Sequence, residues 1–155
     1  MKFNYQVSIR FMKHKLALTD LADDFFEDTR LMGIVAPMRD YQFCWQLNNV
    51  LRFRFRNNTD IEILLHKKDR KYFFNVFEYC EPNSALAHYL YNNHYDGEFL
   101  LPEFRHLDFL WLLKGDRVDD SKMKTLIEVI GSITGVQIVT ELATEKVKNK
   151  GHLIF

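Results

Sequence analysis

A chain of 155 residues with 21 basic and 21 acidic side chains and no formal net charge has the size of one ordinary domain. It lacks the global field of a dedicated DNA-binding or membrane-surface protein. Aromatic residues make up 15%, enough for a large core without disulfides or metal. The two cysteines, Cys44 and Cys80, are too few for a disulfide scaffold and suit a reduced compartment.

At the N-terminus Phe3, Tyr5, Val7, Ile9 and Phe11 alternate with Asn4, Gln6, Ser8 and Arg10, the period-two pattern of a half-buried strand. Residues 1–13 therefore read as an N-terminal extension or an extra strand, with Met12 as an alternative start. No apolar run approaches the length of about 18 to 20 residues that spans a bilayer, and no signal-peptide core is present, so the expected location is cytoplasmic, with no membrane partner. Residues 14–18 read as a strand. The next stretch, 19–30, sets five carboxylates against Arg30 and reads as an acidic connection.

Leu31–Val35 is expected as a strand stopped by Pro37, followed by a helix from Tyr41. On that helix Phe43, Cys44, Leu47, Val50 and Leu51 fall within an arc of about 120°, the core face. Phe53 and Phe55, alternating with Arg52, Arg54 and Arg56, suggest a strand; Asn57–Asp60 a turn; Ile61–Leu65, Tyr72–Tyr79 and Leu86–Tyr91 further strands. Asp96-Gly97 is a turn signal, and Pro102 holds Leu101 extended at the entry to a strand over Leu107–Leu113 that is apolar on both faces. Ser121–Ile133 is amphipathic, capped by Asp119, Asp120 or Ser121, with Gly135 placed for a left-handed turn beyond it. A last strand over 136–142 and a short terminal helix over 144–149 complete the series. The class is α+β, with a mainly antiparallel sheet and two principal helices.

Chemistry-bearing groups are few. Tyr41, Trp45 and Asn48 form a separate stripe on the shoulder of the first principal helix, residue types enriched at binding hot spots. Seven basic residues against three acidic ones over 52–71 give that region a net charge of +4. With Arg52, Arg54, Arg56, Lys67 and Lys68 near Phe53, Phe55, Tyr72 and Phe74, it is a candidate RNA-contacting surface. If the chain stays extended, His106 and Asp108 share one face, a pairing that can orient a general base. Neither Ser, Cys nor Lys lies nearby in sequence to complete a nucleophilic set. The histidines lack metal-ligand spacing, and no glycine-rich phosphate loop or GxSxG is present. No catalytic residue, metal or cofactor is therefore expected.

Leu101-Pro102-Glu103-Phe104-Arg105-His106-Leu107-Asp108-Phe109 resembles the signature of the IPExxxVDY family, small proteins of Bacteroidota, with Leu, Leu and Phe in place of Ile, Val and Tyr. His14–Leu18, Asp40–Asn48 and Asn149–Phe155 resemble that family's opening strand, first helix and closing residues, so the likeness covers residues 14–155 as a single domain. It implies no activity. Within it Pro102, Glu103, His106 and Asp108 are expected to serve architecture, Glu103 and Asp108 binding backbone amides or the cations Arg39 or Arg105. The functional expectation is a non-catalytic cytosolic protein-interaction domain with an unidentified protein partner; the alternative is an RNA-binding accessory module using residues 52–71. The oligomeric state is left open.

Overall fold

The computed structural model describes residues 20–155. The readings of residues 1–13 and of a strand at 14–18 lie outside these. Helix α1 (20–26) leads into β1 (Arg30–Val35), α2 (Asp40–Leu51), β2 (Arg56–Asn57), β3 (Ile63–Lys67), β4 (Arg70–Phe74) and β5 (Val76–Cys80). Then come β6 (Ala87–Asn92), β7 (His94–Tyr95), β8 (Glu98–Phe99), β9 (Phe109–Lys114), α3 (Asp120–Gly131) and β10 (Ile138–Leu142). Six strands form an antiparallel sheet in the order β10-β1-β9-β6-β5-β2, and β3-β4 and β7-β8 are separate hairpins. This is the α+β architecture that the pattern of long-range strands and two main helices implies.

The sheet is covered on both faces, which explains why β9 reads Phe-Leu-Trp-Leu-Leu without a polar break. Met32, Ile34, Leu90, Trp111 and Leu113 point toward α2 and α3, meeting Phe43, Leu47, Leu126 and Ile130. Leu31, Tyr91, Leu110 and Leu112 point the other way, into a second core closed by Phe26, the β3-β4 hairpin, Leu100, Leu101, Leu107 and Leu153. Cys44 is buried among the first set, and burial, reinforced by the Asp40 carboxylate, pushes its thiol up to about 12. That thiol is a small apolar filler. Val50, in the expected core arc of α2, is instead 49% exposed, because the apolar contact narrows to Phe43, Cys44 and Leu47.

The acidic stretch forms α1 instead of a loop. Its carboxylates face outward while Phe26 is buried in the second core, and the Lys114 ammonium donates to the Phe25 carbonyl at its C-terminal end, where a cation is favoured. Helix α2 opens with Gln42 accepting the Arg39 N–H and with Asp40 accepting from the side chains of Asn92 and Asn75, at 2.9 and 3.3 Å, which ties its first turn to the sheet. Asp119 caps α3, accepting from the Lys122 N–H at 2.7 Å.

Residues 52–55 are not a strand. Arg52 adopts φ 59° to end α2, and Asn48 takes both the N–H (2.8 Å) and C=O (3.2 Å) of Phe55, so that backbone pairs with a side chain and not with a ladder. The expected strand over 72–79 is two strands in different sheets, broken at Asn75. Lys68 and Asp69 turn the β3-β4 hairpin with both φ values positive, a geometry ordinarily given to Asn-Gly. Asp96-Gly97 turns the β7-β8 hairpin in the same way. The short terminal helix expected over 144–149 is a 3-10 helix, Thr144–Lys146, and a second 3-10 helix follows at Lys150–Leu153.

Candidate functional site

The stripe on α2 resolves into two functions. Tyr41 and Trp45 are 60% and 69% exposed, whereas Asn48 is half-buried and committed to Phe55. The two rings stand one helical turn apart along a groove of about 850 Å³ between the N-terminal half of α2 and the α3–β10 connection, Thr134–Gln137. Pro37, Met38, Gln42 and Gln46 complete its lining, which among the described residues contains no charged side chain. Gly135, at φ 91°, lines the groove in a backbone conformation that favours glycine, and a Cβ there would lie 2.8 Å from the Met38 Cε, which would have to shift. Gln46 reaches back to the Met38 sulfur at 3.8 Å. The groove offers two flat aromatic faces, a thioether and three amide side chains, Gln42, Gln46 and Gln137, the surface of a recognition site without acid–base or metal chemistry.

The signature residues build a junction. Leu101 is extended as Pro102 requires, at φ −114° and ψ 94°, but Pro102–Phe104 is a 3-10 turn and β9 begins only at Phe109. His106 therefore lies exposed on a turn, and it does not share a strand face with Asp108. Asp108 accepts the Ala36 N–H at 2.8 Å while its own N–H donates to the Ile34 carbonyl at 2.8 Å, clamping the end of β1. Glu103 accepts from the Asn149 N–H at 2.8 Å and from its side-chain amide at 2.7 Å, fastening the C-terminal segment. Burial raises the Glu103 carboxyl, but the bonds from Asn149 outweigh it and hold it below the usual carboxylate range. Of the two kinds of partner expected, backbone amides serve, those of Ala36 and Asn149, while Arg39 and Arg105 form no ion pair with either carboxylate among the described residues. Asp108→Ala is expected to cost about 1–3 kcal/mol in urea unfolding by orphaning the Ala36 N–H. Asp108→Asn, which keeps an acceptor oxygen, is expected to cost less; equal losses for both would contradict this role.

The structure adds Asn93, which periodicity did not single out. It is fully buried; its side chain donates to the Phe104 and Leu107 carbonyls, both at 2.9 Å, and accepts the Leu101 N–H at 2.8 Å. One amide thus holds the whole signature loop.

His88 was the other residue missed. It is buried in the helix-facing core, accepting at Nδ1 from the Trp111 indole N–H (3.1 Å) and therefore donating from Nε2 to Glu81 (2.8 Å), which also accepts from the Lys122 ammonium at 3.1 Å. His88, Glu81 and Lys122 border a cavity of about 370 Å³ beside α3. Both ring nitrogens are used, and Thr125, one of the helix residues that line that cavity, donates its hydroxyl to the Ser121 carbonyl. The chain of bonds organises the core and provides no free base for a nucleophile.

The basic region is divided among the segment after α2, β2 and the β3-β4 hairpin. Arg52, Arg54 and Arg56 are exposed, but Phe55, Tyr72 and Phe74 point into the cores, and Phe53 stacks on Tyr79 with ring centroids 4.3 Å apart. Lys67 pairs with Glu98 at 2.9 Å and Arg70 with Asp96 at 2.8 Å, while Lys68 occupies the hairpin turn. Glu78 and Asp60 border the same recess as Arg54 and Arg56. Among the described residues no cluster of three or more His, Cys, Asp or Glu side chains is placed to hold a metal ion, and no helix is long and apolar enough to cross a membrane. No family model matches the chain, and no curated protein matches it.

Proposed function

We propose that this chain is a non-catalytic, cytosolic protein-interaction domain whose docking surface is the groove between α2 and residues 134–137. One observation carries the reading: Tyr41 and Trp45, large aromatics that ordinarily lie buried, are 60% and 69% exposed along one uncharged groove. The resemblance to the IPExxxVDY proteins supports treating residues 101–109 as framework, since Glu103 and Asp108 spend their acceptors on backbone and amide groups. RNA is the alternative partner, through the exposed Arg52, Arg54 and Arg56.

Affinity capture with the tagged full chain tests both. Tyr41→Ala and Trp45→Ala are expected to weaken retention of a stoichiometric protein about 30-fold, the equivalent of about 2 kcal/mol for a hot-spot truncation. Their unfolding free energies should stay within about 0.5 kcal/mol of wild type, as for surface sites. Retention unchanged in both variants would remove the groove as the docking surface. Nuclease-sensitive RNA that disappears in the Arg54→Glu, Arg56→Glu double variant would put the alternative ahead.

A further inference from the structure

Strand β10 ends the six-stranded sheet, and its outer edge pairs with no described strand. Natural edges are blunted by lysine, proline, bulges or extreme shortness. Ile138-Val139-Thr140-Glu141-Leu142 has none of these: it is five residues long, rich in β-branched side chains, and leaves Ile138 52% exposed. Its one charge, that of Glu141, is already engaged, because Arg30 donates to both of its carboxylate oxygens.

We propose that this edge is a self-association surface and that its occupant is a second copy of the same chain, related by a two-fold axis perpendicular to the sheet at Thr140. The strand is self-complementary about that residue. Antiparallel pairing sets Ile138 against Leu142 of the other copy, twice, Thr140 against Thr140, and Val139 against the stem of Glu141. Such cross-strand pairs are the stabilising unit of a sheet, and an isologous interface needs this self-matching.

The same two-fold acts on helix α3. Asp120 shares Arg30 with Glu141 of β10, which places one flank of α3 over the outer strand. The opposite flank, Lys122, Leu126 and Val129, lines the cavity next to Leu51 and Phe53. The β10-side flank runs Asp120, Lys124, Ile127, Gly131, a single helical stripe, with Glu128 beside Lys124. A Cβ added at Gly131 would meet nothing within 4 Å. The two-fold that pairs β10 with itself runs the two α3 helices antiparallel, bringing Lys124 opposite Glu128 of the other copy and Glu128 opposite its Lys124. Neither residue forms an ion pair among the described residues. Paired strands lie about 4.8 Å apart, so the helices above them come within side-chain reach. The association does not depend on the Tyr41–Trp45 groove.

Sedimentation equilibrium of the full chain tests it, with a dimer dissociation constant expected on the order of 10 µM. Thr140→Lys, which sets two ammonium groups face to face at a position exposed in the monomer, and Lys124→Glu and Glu128→Lys are each expected to weaken the dimer at least about tenfold. A 1:1 mixture of Lys124→Glu with Glu128→Lys recovers it, because every cross-axis contact is then between opposite charges; a chain that merely folded less well in either variant would show no such recovery. A wild type that stays monomeric through about 1 mM, well above that constant, overturns the proposal. So does a dimer indifferent to Thr140→Lys. Hydrogen-exchange protection of the β10 amides in a monomer, lost when residues 1–12 are removed, also overturns it by assigning the edge to the chain's own N-terminal segment.

Discussion

Replacing Asn93 with alanine is expected to produce the largest loss of stability of any single polar substitution described above, about 4 kcal/mol in urea unfolding. Three groups lose their partner at once, the Phe104 and Leu107 carbonyls and the Leu101 N–H, and an orphaned buried group costs about 1–3 kcal/mol. The backbone of Asn93 adds to its centrality: its N–H donates to the Asp108 carbonyl at 3.0 Å and its carbonyl accepts from Leu100 at 2.8 Å. Asn93→Asp keeps the acceptor for Leu101 but sets a carboxylate oxygen against two carbonyls, so it is expected to be as damaging as alanine. A cost below about 1 kcal/mol for both variants would show that water replaces the side chain and that the loop is held by its apolar contacts instead.

Acidification is expected to destabilise the fold beginning at mildly acidic pH, through His88. Burial holds this imidazole below its ordinary value of 6.5, against the opposing pull of the Glu81 carboxylate, and the Lys122 ammonium adds to the lowering. Protonation would also turn Nδ1 into a donor facing the Trp111 indole N–H. The rings of Phe53, Phe55 and Tyr79 surround the remaining faces and offer no compensating charge.

Because the folded value lies below the unfolded one, both states are neutral above about 6.5 and the group contributes nothing to pH dependence there. Below it the unfolded chain takes up a proton that the folded chain refuses, and stability falls as pH drops until the folded group titrates. The slope for one proton is limited to about 1.4 kcal/mol per pH unit. Burial raises the Glu81 carboxyl, but its bonds to His88 and Lys122 hold it below 4.5 overall. Its contribution, present above that value and lost below it, belongs to a separate, more acidic window. Urea unfolding at several pH values between 7.5 and 5 should show a fall in wild type that is absent from His88→Leu. That variant is itself expected to be less stable at pH 7.5 by about 1–3 kcal/mol, from the unpaired Trp111 N–H. Parallel pH profiles for the two proteins would assign the fall to other groups.

Both residues show where pattern reading ends. The features legible along the chain were those set by neighbours a few positions away. Leu31–Val35 and the doubly apolar β9 announced themselves as short apolar runs, the first stopped by Pro37. The amphipathic period of α3, its Asp119 cap and the Asp96-Gly97 turn were local as well. So was the separation of Tyr41 and Trp45 from the core arc of α2, since an angle around a helix depends only on spacing. Local pattern misread α1, where the outward carboxylates of residues 20–28 masked Phe26, and it gave no sign of the Lys68-Asp69 turn, where no glycine marked the positive φ values.

What alternation and helical period alone determined is therefore the α+β class, the main strands and helices, and the exposed aromatic stripe on α2. Only the tertiary structure decided what each polar side chain does. Asn48 resembled a recognition residue until Phe55 was packed beside it, Asp108 was expected to bind a backbone amide but only β1 supplied that of Ala36, Asn93 drew no notice, and His88 stood out only as a histidine without metal-ligand spacing. Their partners lie 7 to 72 residues away along the chain, and an unpaired polar group is costly only after burial has removed water from it. Packing chooses which backbone groups are left without a ladder partner, and the side chains that answer them can be recognised only once that choice is made.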